Sequence, residues 1–353
     1  MVSHDGPPLA IKPLLTARQR SVLRAVVLAY LGDAAPIGSA TIAQLLAVNL
    51  SPATIRSTLA ELAALGLVKQ PHVSAGRVPS ERGLRVFVDE LQSCDVLPAY
   101  EMRTIASRLA DADAEGAMHV ASQILSERTR QLGFVVAPRL DRVVLRHVSL
   151  VRLSSERLLV VLIAQTGAAY RRVIADDGFG DQAELDRIAA GLGERVAGRT
   201  LAEVHERLSQ EAKALRRHAG HLLSRMVELG LRALASPEVG DADVVIESRL
   251  GLLDQPEFHD PRRIRDVLVA VETKERLLAL LDKTLAGDGV SVAFGEELEE
   301  PSLHDCALVA SRYGDPGAPL GTLGVIGPSR MNYARVIPLV RYLSEVITGK
   351  LCA

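Results

Sequence analysis

Residues 51–82 read SPATIRSTLAELAALGLVKQPHVSAGRVPSER, and no other stretch narrows the fold as far. Ser51 is a good N-cap, and Pro52 suits the first helical position, where no backbone N–H is needed. Ile55, Leu59 and Leu62 recur at i, i+4 and i+7 as one apolar stripe; Leu65 extends it and Gly66 ends the helix. A strand over 67–70 follows, then a loop over 71–79 carrying His72, Ser74 and Arg77 at its tip. A helix over 81–91 comes next, with Leu84, Phe87, Val88 and Leu91 as its apolar side. Upstream, 16–31 reads as a helix with Val22, Leu23, Val26, Val27 and Tyr30 inward. Residues 34–38 make a turn, and Ser39 caps a short helix through Leu46 that faces Ile42, Leu45 and Leu46 inward. Two helices, a capped third helix, a hairpin and an exit helix, in that order, spell a winged helix-turn-helix. Such a module places a short helix in the DNA major groove.

The outer face of the third helix supports that reading. Ala53, Thr54, Arg56, Ser57 and Thr58 are small, hydroxylated or cationic, and none is acidic. Small residues allow close approach to a groove, hydroxyls reach phosphates or base edges, and arginine grips guanine with two hydrogen bonds. An ordinary amphipathic helix has a polar face too, so the basic loop beside it decides the matter. Arg77 on that loop suits a phosphate or the minor groove. Residues 1–92 hold nine Lys/Arg and six Asp/Glu, a local charge of about +3 in a chain whose net charge is −2. The excess sits where DNA binding is expected, and a dimer doubles it.

The other 261 of the 353 residues predict an α+β multidomain chain. Residues 100–132 read as two helices broken near 114–116. The runs 134–137, 143–153, 157–164 and 168–175 read as one antiparallel meander, with turns at 154–156 and 165–167. From 180 to 235 the pattern is helical. Leu185, Ile188, Ala189, Leu192 and Val196 form one stripe, and a second segment over 201–234 carries Val204, Leu208, Leu215, Leu222, Leu223, Met226, Leu229 and Leu231. This insertion reads as a subunit contact rather than as packing on its own sheet. Strand and helix alternate again from 243: strands at 244–247, 290–294, 307–313 and 322–326, and helices over 261–285 and 332–349.

No catalytic or metal-binding constellation emerges. Gly321, Gly324 and Gly327 have the wrong spacing for a dinucleotide fingerprint and read as a strand with a turn at Gly327–Pro328. Glu296, Glu297, Glu299 and Glu300 beside Pro301 read as a solvated turn. His218 and His221 lack an acidic partner at ligand spacing, and Arg330 and Asn332 read as a helix cap. Cys94, Cys306 and Cys352 form no C-x-x-C, so neither a metal nor a disulfide framework is expected, and a reducing compartment fits. The N-terminal MVSHDGPPLAIKPLL lacks the apolar core of a signal peptide. The longest apolar run, 158–164, is too short to span a bilayer. A cytoplasmic chain without catalytic activity, cofactor or membrane association is expected.

Particular motifs carry a resemblance. SPATIR (51–56), GLVKQPHVSAGRVPS (66–80), GLRVFVDEL (83–91), FGEEL (294–298) and GTLGVIGPSRMNYARVI (321–337) resemble the family of heat-inducible transcription repressors called HrcA. The resemblance implies a winged helix over 1–97 and a GAF-like antiparallel sheet domain in two parts, 98–179 and 243–353. A mostly helical dimerisation domain is inserted between them at 180–242. It implies a homodimer on double-stranded DNA at an inverted-repeat operator called CIRCE, repression of heat-shock chaperone operons, and dependence on the GroEL chaperonin. By resemblance the DNA-binding residues are Ser51, Ala53, Thr54, Arg56 and Ser57 on the helix, with His72, Ser74, Gly76 and Arg77 on the wing. Ser57 stands where the family would have Asn, and Ser cannot read adenine bidentately as Asn does. The alternative is a winged-helix regulator gated by a small-molecule effector in the GAF-like domain.

Overall fold

The computed structural model describes residues 15–46, 50–72, 75–91, 96–137, 143–165, 167, 169–176, 178, 181–215, 227–232, 244–246, 252, 255–258, 260–285, 289–315 and 317–352. The N-terminal segment to residue 14, Ser74, Cys94, His218 and His221 lie outside them. The chain divides into two compact units.

The first unit comprises residues up to Val96 together with Val292–Ala307 and Gly327–Pro338. Its first helix, α1 (Ala17–Asp33), starts in a capping box: the Thr16 hydroxyl accepts from the Gln19 N–H, and the Gln19 amide oxygen accepts from the Thr16 N–H at 2.9 Å. Helix α2 (Ser39–Leu45) follows, but Gly38 and not Ser39 is its N-cap, and no side chain caps it. Only Ile42 of its expected inward residues is buried; Leu45 is exposed. Helix α3 (Pro52–Ala64) is capped by Ser51, whose Oγ accepts from the Thr54 N–H at 3.1 Å. It ends in a Schellman turn. Gly66, at φ +70°, donates to the Ala63 carbonyl and Leu67 donates to that of Leu62. Leu65 is exposed by that turn instead of extending the buried stripe.

The wing is a two-stranded antiparallel ribbon, β1 (Val68–Lys69) and β2 (Val78–Pro79), paired Val68 with Pro79 and Lys69 with Val78. Ile37 adds a bridge to Arg77. Exit helix α4 (Glu81–Leu91) buries Leu84, Val86, Phe87, Val88 and Leu91. Gly83 is needed there, since a Cβ would sit 2.1 Å from the Leu67 carbonyl oxygen.

Two further sheets follow along the chain, and residues 292–294, 306–307 and 327–328 of their strands belong to the first unit. Helices α5 (Ala99–Ala110) and α6 (Ala114–Thr129) precede β3 (Leu132–Val136), with α6 capped by Asp113. Strands β4 (Val144–Ser154), β5 (Arg157–Ala164) and β6 (Ala169–Ala175) come next. Helix α7 (Gln182–Val196), β7 (Arg199–Thr200) and α8 (Leu201–Leu215) follow, with 227–232 also helical. The order β6-β5-β4-β7 makes a four-stranded antiparallel sheet. Then come β8 (Val244–Val245), α9 (Pro261–Glu272), α10 (Lys274–Thr284), β9 (Val290–Phe294), β10 (Cys306–Asp315), β11 (Ala318–Pro328) and α11 (Tyr333–Cys352), and the second sheet has the order β8-β3-β11-β10-β9.

Three expectations change here. The first strand of the expected meander, β3, pairs with β11 and β8 in the other sheet, so only β4, β5 and β6 form a meander. The expected boundary at 179/180 runs through one hydrophobic core. Val148, Leu150, Leu158 and Val160 of the strands share it with Leu185, Ile188 and Leu192 of α7 and Val204 and Leu208 of α8. The helices of the insertion therefore do pack on a sheet of their own, because a one-sided apolar stripe finds its nearest apolar face there. The helix expected over 261–285 is broken at Thr273, which both ends α9 and caps α10.

Around the second sheet, contact is close. A Cβ on Gly133 would sit 2.7 Å from the Leu125 Cβ, and the Gly133 carbonyl accepts from Ser122 at 3.1 Å, so α6 lies directly on β3. The buried Tyr313 hydroxyl donates to the Val136 carbonyl at 2.6 Å. Among the described residues no helix is long and apolar enough to cross a membrane, and no group of three or more His, Cys, Asp or Glu could hold a metal.

Candidate nucleic-acid interface

Two elements of the first unit carry the expected DNA-facing residues, and local chemistry sets both. On α3, the buried stripe of Ile55, Leu59 and Leu62 fixes the helix's rotation. Ala53, Arg56 and Ser57 are then left exposed and Thr54 half-buried. Thr58 departs from expectation: it is fully buried, its hydroxyl donating to the Thr54 carbonyl at 3.0 Å. A threonine can satisfy its hydroxyl within its own helix, so polarity alone did not reveal its side. Ser51 and Thr54 are partly committed as well. Their hydroxyls lie 2.9 Å apart, and Ser51 caps the helix.

Electrostatics favour the N-terminal half of α3. Its acidic residue, Glu61, is turned back to α1, accepting from the Gln19 amide at 2.9 Å and lying 3.6 Å from the Arg18 guanidinium. The helix N-terminus adds partial positive charge at the end where Arg56 stands. Arg56 has no hydrogen bond or ion pair among the described residues, so its guanidinium keeps its donors for an incoming partner.

On the wing, His72 is exposed, and its carbonyl accepts from the Ala75 N–H at 2.9 Å, closing the tip. The Gln70 side-chain amide donates to the Ala75 carbonyl at 3.0 Å and braces the loop. Arg77 is not on the tip as expected. Its backbone lies in the stem, donating to Ile37 at 2.9 Å and accepting from it at 3.0 Å. Its half-buried side chain has no hydrogen bond or ion pair among the described residues. Gly76 has a clear geometric role: a Cβ there would lie 2.4 Å from both the Ile37 carbonyl carbon and oxygen.

Sequence reasoning overlooked Lys69, exposed on β1, and the bracing by Gln70 and Ile37. An isolated Ile between turn residues was the available signal for Ile37. It also misjudged the acidic run. Glu297 is no merely solvated side chain: it pairs with Arg85 of α4 and accepts from the Phe294 N–H at 2.9 Å. At Asn332 the backbone carbonyl, accepting from Arg335 and Val336, opens α11.

The family model of the HrcA DNA-binding domain, a winged helix-turn-helix transcription repressor, matches residues 14–85. That of the HrcA protein C-terminal domain matches 115–337. A heat-inducible transcription repressor HrcA of Xanthomonas axonopodis pv. citri is 37% identical over 336 residues, covering 95% of each chain. One of Geobacter sulfurreducens is 34% identical over 336 residues, covering 95% of this chain and 97% of its own. A crystal structure described as a hypothetical protein at 2.2 Å resolution shares the fold, with TM-score 0.65, 23% identity and coverage of 96% of this chain and 98% of that one. With its winged helix and its C-terminal part both matched, the chain belongs to the HrcA family of heat-inducible transcription repressors.

Proposed function

We propose that the chain acts in the cytoplasm as a homodimeric repressor of chaperone operons, binding the inverted repeat CIRCE and reaching its active fold with the help of the GroEL chaperonin. One observation carries the DNA reading: α3 exposes Ala53, Arg56 and Ser57 with no acidic neighbour, its one carboxylate being tied to α1. Ser51, Thr54, His72, Ser74, Gly76 and Arg77 complete the proposed surface, Gly76 through the wing's shape.

The homodimer finds support in the outer face of the four-stranded sheet. Val151, Leu159 and Val173 form one cross-strand row, with Leu153 beside it; Val151, Leu153 and Val173 are exposed. The opposite face is already covered by α7 and α8. Among the described residues this row of Val and Leu is left largely exposed, which suits an interaction surface, and a second copy would supply the two heads that an inverted repeat requires.

The test is a titration of refolded protein on the inverted repeat and on a scrambled duplex at one salt concentration. The expected result is binding at least about a thousandfold tighter to the repeat, two protomers per duplex, and a larger active fraction after refolding with chaperonin and ATP. Equal affinity for both duplexes refutes the operator reading. An unchanged active fraction refutes the chaperonin dependence.

A further inference from the structure

The strongest feature that DNA contact leaves unused is a charged and aromatic knot within the first unit, where the exit helix meets residues from the far end of the chain. Arg85 of α4 forms an ion pair with Glu297, 212 positions away in sequence. Its guanidinium carbon also lies 4.8 Å from the centroid of the Phe294 ring. Phe294 is buried and meets Tyr333 edge-on at 5.7 Å, and the Tyr333 hydroxyl donates to the Ser329 carbonyl at 2.6 Å. The Glu297 carboxylate is held by the Phe294 N–H at 2.9 Å. Close fit extends to Gly295, where a Cβ would lie 1.9 Å from the His304 carbonyl oxygen and 2.5 Å from a Glu81 carboxylate oxygen. The Glu297 side chain is about half exposed, so the ion pair alone is of the surface kind; the buried Phe294 ring beneath the guanidinium is what makes the seat for Arg85.

The N-terminus of α4, little more than one turn before Arg85, is bonded to the turn that follows α3. Ser80 sits at the junction: its N–H donates to the Leu67 carbonyl at 3.0 Å, and its hydroxyl donates to the Gly66 carbonyl at 2.6 Å. The same hydroxyl accepts from the Gly83 N–H at 3.0 Å. Gly66 and Leu67 form the turn that ends α3 and starts the wing. A continuous path of bonds thus runs from the end of α3 through Ser80 and α4 to Arg85, Phe294 and Glu297.

We propose that Arg85 is a positioning residue for operator binding. Held between the Phe294 ring and the Glu297 carboxylate, it fixes α4, and through Ser80 it fixes the end of α3 and the root of the wing, without touching DNA. Arginine is suited to the post because its planar fork stacks on a ring and pairs with a carboxylate at once, and lysine does not reproduce that. The inference rests on the operator reading above, and the experiment separates the two.

Operator affinity is measured for the full chain against salt concentration, with circular dichroism to confirm folding. Glu297→Gln and Phe294→Leu are the leading variants, since neither removes a cation from the protein. Both are expected to weaken operator binding by about two- to thirtyfold, as for residues that act at a distance, with the slope against salt unchanged. Arg85→Lys falls in the same range, and the exchange Arg85→Glu with Glu297→Arg recovers part of the affinity lost by Arg85→Glu alone. If Glu297→Gln and Phe294→Leu bind like the parent, the proposal is overturned. It is equally overturned if Arg85→Ala lowers the salt slope by about one, the mark of a lost phosphate contact. A parent chain that ignores the operator sinks the earlier reading instead.

Discussion

Replacing Gly76 by alanine isolates the geometry of the wing. The added Cβ would lie 2.4 Å from the carbonyl carbon and oxygen of Ile37 and 2.7 Å from its nitrogen. All three are backbone atoms, so no flexible side chain can swing away, and the two segments must separate. What holds them together is the pair of hydrogen bonds between Ile37 and Arg77, at 3.0 and 2.9 Å. Each contributes about 0.5–1.5 kcal/mol net, so losing both costs about 1–3 kcal/mol. Each kcal/mol lowers the melting temperature by about 2–8 °C across domains of roughly 60–250 residues. Arg77 also moves, so operator affinity falls by more than the unfolded fraction explains. Thermal denaturation with operator titration below the transition measures both effects. Two controls separate the clash from the loss of glycine itself. Gly32 lies inside α1, where a Cβ meets nothing within 4 Å, so Gly32→Ala stabilises by about 0.5–1 kcal/mol. Gly66 has the same open space but φ +70°, so Gly66→Ala costs about 1–2 kcal/mol from backbone strain alone. A Gly76→Ala protein that melts and binds like the parent refutes the reasoning.

Arg56→Ala is expected to weaken operator binding by about 1–3 kcal/mol if the guanidinium pairs with a base, with an unchanged melting temperature, since it has no partner to lose within the chain; calorimetry and a mobility-shift titration check the two halves. Burial, partly offset by the Glu296 N–H, raises the Glu81 carboxyl above the ordinary 4.5, so the folded chain binds that proton more tightly than the unfolded one. The cost of the desolvated carboxylate is then fully present above the raised value and disappears as pH falls through it towards 4.5. Glu81→Gln should stabilise at neutral pH and lose that advantage on acidification; denaturant melts at several pH values would show a constant difference if this is wrong. Tyr313→Phe removes the donor to the buried Val136 carbonyl and is expected to cost about 1–3 kcal/mol, read as a shifted denaturation midpoint without a change in operator affinity below the transition.

Local signals in the sequence were enough for several elements. The serine cap and glycine stop of α3 and the bounds of α4, β5 and β9 agree with the structure, because caps, turns and periodicity act within a few residues. The misses involve distance or partnership. Thr58 looks exposed by type but satisfies its hydroxyl on its own helix. β3 and β4 both read as strands from their Val and Leu, and the pairing of β3 with β11 is what assigns it to the other sheet. Nothing near Glu297 in sequence announces Arg85, and nothing near Arg77 announces that Ile37 will draw it into the stem. The candidate DNA surface was therefore legible as residue types on α3, whereas the architecture that braces it was not.

Methylation protection on the inverted repeat tests the central claim most directly, since it reads guanine N7 in the major groove and adenine N3 in the minor groove. We predict symmetric protection of guanine N7 in both half-sites at saturating protein, with the major-groove signal lost on Arg56→Ala. Saturating, folded protein that leaves N7 open in both half-sites contradicts a groove-reading α3.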